Sequence, residues 1–161
     1  MGKGMVMRHR YICWTMLVLG WGLGCQQADK SVLPSSGAST AVTSGTIAGL
    51  AGQRYVLEAM VIGGQTYELA DTRPTLLVSN EGKVSGLASL NRYMGRLRID
   101  SEGVVSWAGP LAMTRMAGPA ELMRQEQAFV EALTKTTRLS VEGEQLYAES
   151  EDGQMRLVFK R

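Results

Sequence analysis

Glycine turns carrying acidic residues punctuate the second half of the chain, and they restrict its fold more than any other feature. Asn80-Glu81-Gly82, Ser101-Glu102-Gly103, Glu142-Gly143-Glu144 and Glu151-Asp152-Gly153 each sit between apolar runs. Glycine supplies positive φ, and Asn, Asp or Ser brace a turn through local hydrogen bonds. Such segments read as hairpin connections. The flanking runs alternate. Tyr93, Gly95, Leu97 and Ile99 oppose Met94, Arg96, Arg98 and Asp100; Leu139 and Val141 oppose Arg138, Ser140 and Glu142. Met155, Leu157 and Phe159 oppose Gln154, Arg156 and Lys160, and Val158 alone breaks the polar side. A period of two describes a sheet with one face on a core and one in water. Further strands are expected at Arg54–Met60, Thr75–Ser79, Val84–Ala88, Val104–Trp107 and Gln145–Glu149. About eight short, mostly sequential strands in so small a domain should curl instead of staying flat.

One segment has a different period. Pro119 to Lys135 reads PAELMRQEQAFVEALTK. Pro119 suits the first position of a helix. At 100° per residue, Leu122, Phe129 and Leu133 fall within about 20° of one direction. Met123 and Val130 widen the stripe on one flank, Ala128 and Ala132 on the other. The fold class is therefore α+β, a curved, barrel-like antiparallel sheet with one packed α-helix. Glu126 falls inside the apolar stripe, where a carboxylate needs a partner. Arg115 or Arg92 is expected to pair with it. Burial of Phe129 or Leu133 should contribute about 1.5–3 kcal/mol each.

The N-terminus has another character. Lys3, Arg8 and Arg10 precede an apolar run from Tyr11 to Gly24 that is too short to cross a bilayer as a helix. This is the layout of a signal peptide over residues 1–24. Gly22-Leu23-Gly24-Cys25 resembles the bacterial lipobox, with Gly22 where leucine is commonest. Cys25 is the expected lipidation site, and a multi-chain anchor holds a protein stably on a membrane. By resemblance to enterobacterial lipoproteins, Gln26 favours the outer membrane, with the protein facing the periplasm. Residues 25–46 hold the lipidated cysteine and a Ser/Thr/Ala/Gly stretch expected to be a flexible tether with a reach of about 25 Å. Residues 47–161 form the folded domain.

Charge and reactive residues exclude several functions. Three of the 17 bases and none of the 15 acids precede Cys25, so the remainder is net negative by one. A nucleic-acid binder carries a basic surplus on its folded part, so no nucleic-acid partner is expected. His9, Cys13 and Cys25 are the only histidine and cysteines. The domain after them has no Ser-His-Asp or Cys-His catalysis and no His- or Cys-ligated zinc. No cofactor and no metal is expected. Glu149, Glu151 and Asp152 cluster at a turn, but calcium needs six to eight oxygens. Gly63-Gly64 lacks the residues of a phosphate loop. Arg96 and Arg98 share the outward face of one strand. They would join Arg156, Lys160 and Arg161 in a basic stripe if the two strands were neighbours, facing anionic lipid, an acidic partner or plain solvent.

Arg73-Pro74-Thr75-Leu76, the run Val84-Ser85-Gly86-Leu87-Ala88-Ser89-Leu90-Asn91-Arg92-Tyr93, and Thr114-Arg115-Met116-Ala117-Gly118-Pro119 occur in order, followed by a helix with Glu126 and Phe129. This succession resembles the META domain (HslJ-like) family. There a PTL strand, a V-S-G-x-x-G-C-N-R-Y segment, a T-R-M-A-C-P segment and a helix with E-x-x-F/L recur. The resemblance covers about residues 50 to 161. It implies a small antiparallel barrel-like sheet with a packed helix, an association with heat shock, drug resistance, motility or secretion, and no catalytic mechanism. The family often has cysteines at the places of Leu90 and Gly118; both are absent here, so no redox role carries over.

The resemblance nominates Asn91, Arg92, Tyr93, Thr114, Arg115 and Glu126. Two readings stand for them: a polar binding site between strand ends, or an architectural brace. The expected function is a non-enzymatic envelope lipoprotein, bound to the membrane by its lipid anchor and serving a stress-related or envelope-support role by binding an envelope protein. One alternative is a carrier or pilot lipoprotein of a secretion system, holding a lipid, peptide or other apolar ligand inside the sheet, which requires about 300 Å³ of apolar cavity. The other is a carboxylate-only hydrolase, which requires two acids about 5–10 Å apart in a cleft.

Overall fold

A computed structural model describes Thr40–Ala41 and residues 47–161. Cys25 and the expected leader lie outside the described residues, as does most of the tether. In chain order the elements are β1 (Thr40–Ala41), α1 (Ile47–Leu50), β2 (Arg54–Ile62), β3 (Gln65–Thr66), β4 (Thr75–Val78), β5 (Lys83–Leu87), β6 (Arg92–Ile99), β7 (Val105–Trp107), β8 (Ala112–Met113), α2 (Ala120–Thr134), β9 (Thr136–Glu142), β10 (Gln145–Ser150) and β11 (Met155–Lys160). The described residues belong to one compact unit.

The sheet runs β1-β9-β10-β11-β2-β4-β5-β6-β7, with β3 on β2 and β8 on β6. Its strand pairs are antiparallel, for example Leu146↔Phe159 and Ala148↔Leu157 between β10 and β11, and Ser85↔Met94 between β5 and β6. The path from β9 to β7 contains the eight strands expected from the alternation; the two-residue strands β1, β3 and β8 add to it. Val104 bridges Arg138, which brings the free edge by β7 round to β9 and nearly closes the barrel. Bulges help it bend: the register shifts at Val158/Phe159 against β2 and at Glu149/Ser150 against β9. Thr40–Ala41, within the segment expected to be tether, pairs with Val141 and Ser140 of β9.

The turns behave as their chemistry demands. Asp100 Oδ1 accepts the N–H groups of Glu102 and Val104, both at 2.9 Å. Ser79 Oγ does the same for Glu81 and Lys83 at 3.3 and 3.1 Å, so Ser79, not Asn80, braces that hairpin. Gly86 has no room for a side chain, since a Cβ there would stand 1.9 Å from the Thr75 carbonyl oxygen. The glycine lets the two backbones approach closely just beyond the last ladder pair, Leu77↔Ser85, and Thr75 Oγ1 accepts the Leu87 N–H at 3.0 Å.

Inside, Leu57, Met60, Leu146, Leu157 and Phe159 from the sheet meet α2. Phe129 lies edge-on between Tyr93 and Phe159, at 5.7 and 6.3 Å between ring centres. The helix ends within a residue of the sequence expectation at both ends. Its buried face is Gln125, Phe129, Ala132 and Leu133. Leu122 is only half-buried and Met123 is exposed. The helix is thus rotated by about 35°, at 100° per residue, toward its Gln125/Ala132 flank. The reason is a polar contact the hydrophobic pattern does not register, described next.

Candidate functional site

The polar residues singled out in the sequence converge where the β5–β6 connection, the segment after β8 and helix α2 meet. Asn91 is at the centre and 4% exposed. Its Nδ2 donates to Glu126 Oε1 at 2.8 Å and to the Met116 carbonyl at 3.1 Å. Its Oδ1 accepts from the Thr114 hydroxyl at 2.8 Å and from the Met116 N–H at 2.7 Å. One amide thereby joins three segments distant in sequence. The other Glu126 oxygen, Oε2, accepts the Leu90 and Asn91 N–H groups at 3.2 and 2.7 Å. Thr114 Oγ1 also accepts the Arg92 N–H at 3.0 Å, and the Thr114 N–H returns to the Arg92 carbonyl at 3.0 Å.

The expected Glu126–arginine pair is not formed. Asn91 and two backbone N–H groups satisfy the carboxylate, and the side chains of Arg92 and Arg115 are exposed. The helix delivers Glu126 to the tip of the β5–β6 connection, where N–H groups outside any ladder need an acceptor. Tyr93 is buried, and its hydroxyl donates to the Thr75 carbonyl at 2.9 Å. Burial drives its pKa far above the ordinary tyrosine value.

A second brace was not legible in the sequence. Gln125, 1% exposed, lies beside Glu126 on the helix. Its Oε1 accepts the Ala70 N–H at 2.6 Å, and its Nε2 donates to the Thr72 carbonyl at 2.8 Å and to Ser89 Oγ at 2.7 Å. Ser89 holds φ at +125°, in a region that glycine occupies most easily, and it stands at the glycine that precedes the cysteine position of the family pattern. The two former cysteine positions are neighbours. A Cβ on Gly118 would stand 2.7 Å from Leu90 Cδ2, so the leucine fills the space over the glycine.

Other sequence expectations resolve as follows. Glu149 pairs with Arg156 at 3.2 Å. Asp152 accepts from Ser150 Oγ and the Gln154 N–H, which hold its carboxyl below the ordinary range. β6 and β11 are separated by β2, β4 and β5, so Arg96 and Arg98 do not form a stripe with Arg156 and Lys160. The interior that a carrier would need is filled by the aromatic and aliphatic side chains named above. The larger hollows open to solvent. One of about 690 Å³ lies over the Asn91–Glu126 junction and is lined by Leu111, Met113, Met116 and Met123. A second, of about 540 Å³, shares Met113 and Met123 and continues along α2 to Val130. Among the described residues, no helix is long and apolar enough to cross a membrane.

The model of the META domain family matches residues 48–161. A protein from Burkholderia xenovorans, solved by NMR, is 26% identical at a TM-score of 0.61, covering 81% of this chain and 97% of its own. Another NMR structure is 25% identical at a TM-score of 0.53, covering 71% and 93%. A crystal structure of a DUF4847 family protein from Bacteroides vulgatus is 11% identical at a TM-score of 0.51, covering 69% and 93%, and shares the fold alone. No curated protein matches the chain.

Proposed function

The chain belongs to the META domain family, and from that premise we propose that it is a non-enzymatic lipoprotein of the bacterial cell envelope whose domain binds another envelope component. The observation that carries this reading is that Asn91, Thr114 and Glu126 of the family motif make their hydrogen bonds inside the domain. Asn91, Thr114 and Glu126 direct their hydrogen bonds at one another and at backbone groups, and Gln125 directs its own at Ser89 and at backbone groups. Groups held this way brace a surface and have no free valence for proton transfer. Beside them lies the methionine-lined hollow. Methionine is flexible and polarizable, and exposed methionines suit surfaces that adapt to a partner. The lipidated Cys25, the outer-membrane location and the stress-related role belong to the same reading.

Two experiments test it. Replacing Cys25 with Ala should move the protein from the membrane fraction to the soluble one; persistence in the membrane fraction overturns the anchor. A photo-crosslinking residue at Met123 of the anchored protein should give a discrete adduct in cells, and one at the exposed Lys160 of β11, separated from β6 by β2, β4 and β5, should not. Equal adducts at both sites would remove the hollow from the proposal.

A further inference from the structure

The outward face of β2, β4, β5 and β6 carries a charge pattern unlike the rest of the chain. Its outward positions include Arg54, Lys83, Arg92, Arg96 and Arg98, with Glu58 as the one acid among them. The chain from Cys25 onward is net negative, so these cations are segregated and not a sample of a basic protein. Lys83 is held by Glu81 at 2.8 Å, with both side chains more than half exposed. Among the described residues, no ion pair occupies the arginines of this face.

Apolar side chains project between the cations. Met94 is 62% exposed, Leu77 41% and Val56 38%. Register brings them together: Leu77 faces Arg54 on β2 and Ser85 on β5, and Ser85 faces Met94 on β6. An open groove of about 430 Å³ lies here, lined by Leu77, Leu87 and Met94 with Arg54 and Arg92. A polar outer sheet face gains nothing from exposed Leu and Met.

We propose that this face docks on the surface of an anionic phospholipid bilayer, with Leu77, Met94 and Val56 entering the headgroup region and the arginines meeting lipid phosphates. Interfacial binding adds buried apolar area to attraction for anionic lipid. Guanidinium groups match phosphate oxygens in a planar, bidentate way. The contact does not depend on lipidation of Cys25, and it is tested without that residue.

The fragment 35–161 contains every described residue and the whole core and lacks Cys25. It should sediment with vesicles of equimolar phosphatidylcholine and phosphatidylglycerol and not with phosphatidylcholine alone, and high salt should release it. Arg54→Gln with Arg92→Gln should weaken binding by about tenfold or more. Leu77→Ser with Met94→Ser should weaken it with the charge unchanged. Arg124→Gln with Arg138→Gln removes the same charge elsewhere and should leave binding intact. Thermal melting confirms that each variant folds. No preference for anionic vesicles overturns the proposal, as does equal loss in the Arg124/Arg138 variant. Displacement by soluble polyglutamate together with indifference to the Leu77/Met94 change would assign the face to an acidic polypeptide instead, and also overturns it.

Discussion

At the scale of single residues, Asn91 is the joint of the domain. Four contacts end on its amide, two of them to Met116 and one each to Thr114 and Glu126. Removing it leaves a half-buried carboxylate and a hydroxyl short of partners, which costs more than the bonds themselves gained. Asn91→Ala should lower stability by about 2–4 kcal/mol, read as a shift of the urea midpoint at unchanged slope. A loss below about 0.5 kcal/mol would refute the joint. The pair Leu90 and Gly118 gives the opposite kind of prediction. Their proximity suits a disulfide, so Leu90→Cys with Gly118→Cys in fragment 35–161 should oxidise within one chain and raise stability by about 2–4 kcal/mol. Thiol titration before and after reduction decides it; two free thiols under air would show that the spacing is wrong. Of the residues that the resemblance nominated, the fold brings Asn91, Thr114 and Glu126 together, but the arginine partner expected for Glu126 is not the one it has. An arginine is the strongest partner on charge, whereas the fold presents backbone N–H groups, which no side-chain pattern reveals.

At the scale of elements, α2 and the turns were legible because their signals are local. Helix period, the opening proline and glycine turns act within a few residues of themselves. The orientation of α2 was not legible, because Gln125 rather than Leu122 faces inward. A buried glutamine is costly unless every polar atom is paired, and its partners Ala70, Thr72 and Ser89 come from two distant segments. Gln125→Ala should therefore release the segment around Ala70 while leaving the sheet in place. Hydrogen exchange at the Ala70 amide should speed up by at least about tenfold, and amides of β10 and β11 should keep their protection relative to global stability. Unchanged exchange at Ala70 would show that the segment is held by something else. Phe129→Ala acts on the other side of the same helix and should cost about 3–5 kcal/mol, since it removes the ring shared by Tyr93 and Phe159.

For the molecule as a whole, one core and a nearly closed wall predict one cooperative transition. Its alkaline limb should report Tyr93. The folded-state pKa of this phenol lies above its ordinary value of 10.0, so the native state holds the proton over a range where the unfolded chain has lost it. Stability from this group is full below pH 10 and falls as pH rises beyond it. Tyr93→Phe should lose the hydrogen bond to Thr75, about 1 kcal/mol, and should flatten the alkaline decline by up to one proton. An unchanged alkaline slope would assign that limb to other groups. The sequence by itself determined the eight strands, the helix, the turns and the absence of histidine and cysteine from the domain, because each follows from composition or from a period read over neighbouring residues. Only the tertiary structure decided that β2, β4 and β5 stand between β6 and β11, that Val104 meets Arg138 to draw the barrel together, and that Glu126 answers to Asn91. Those outcomes depend on strand order and on competition between distant backbone groups for the same acceptors, and neither leaves a periodic mark on the chain.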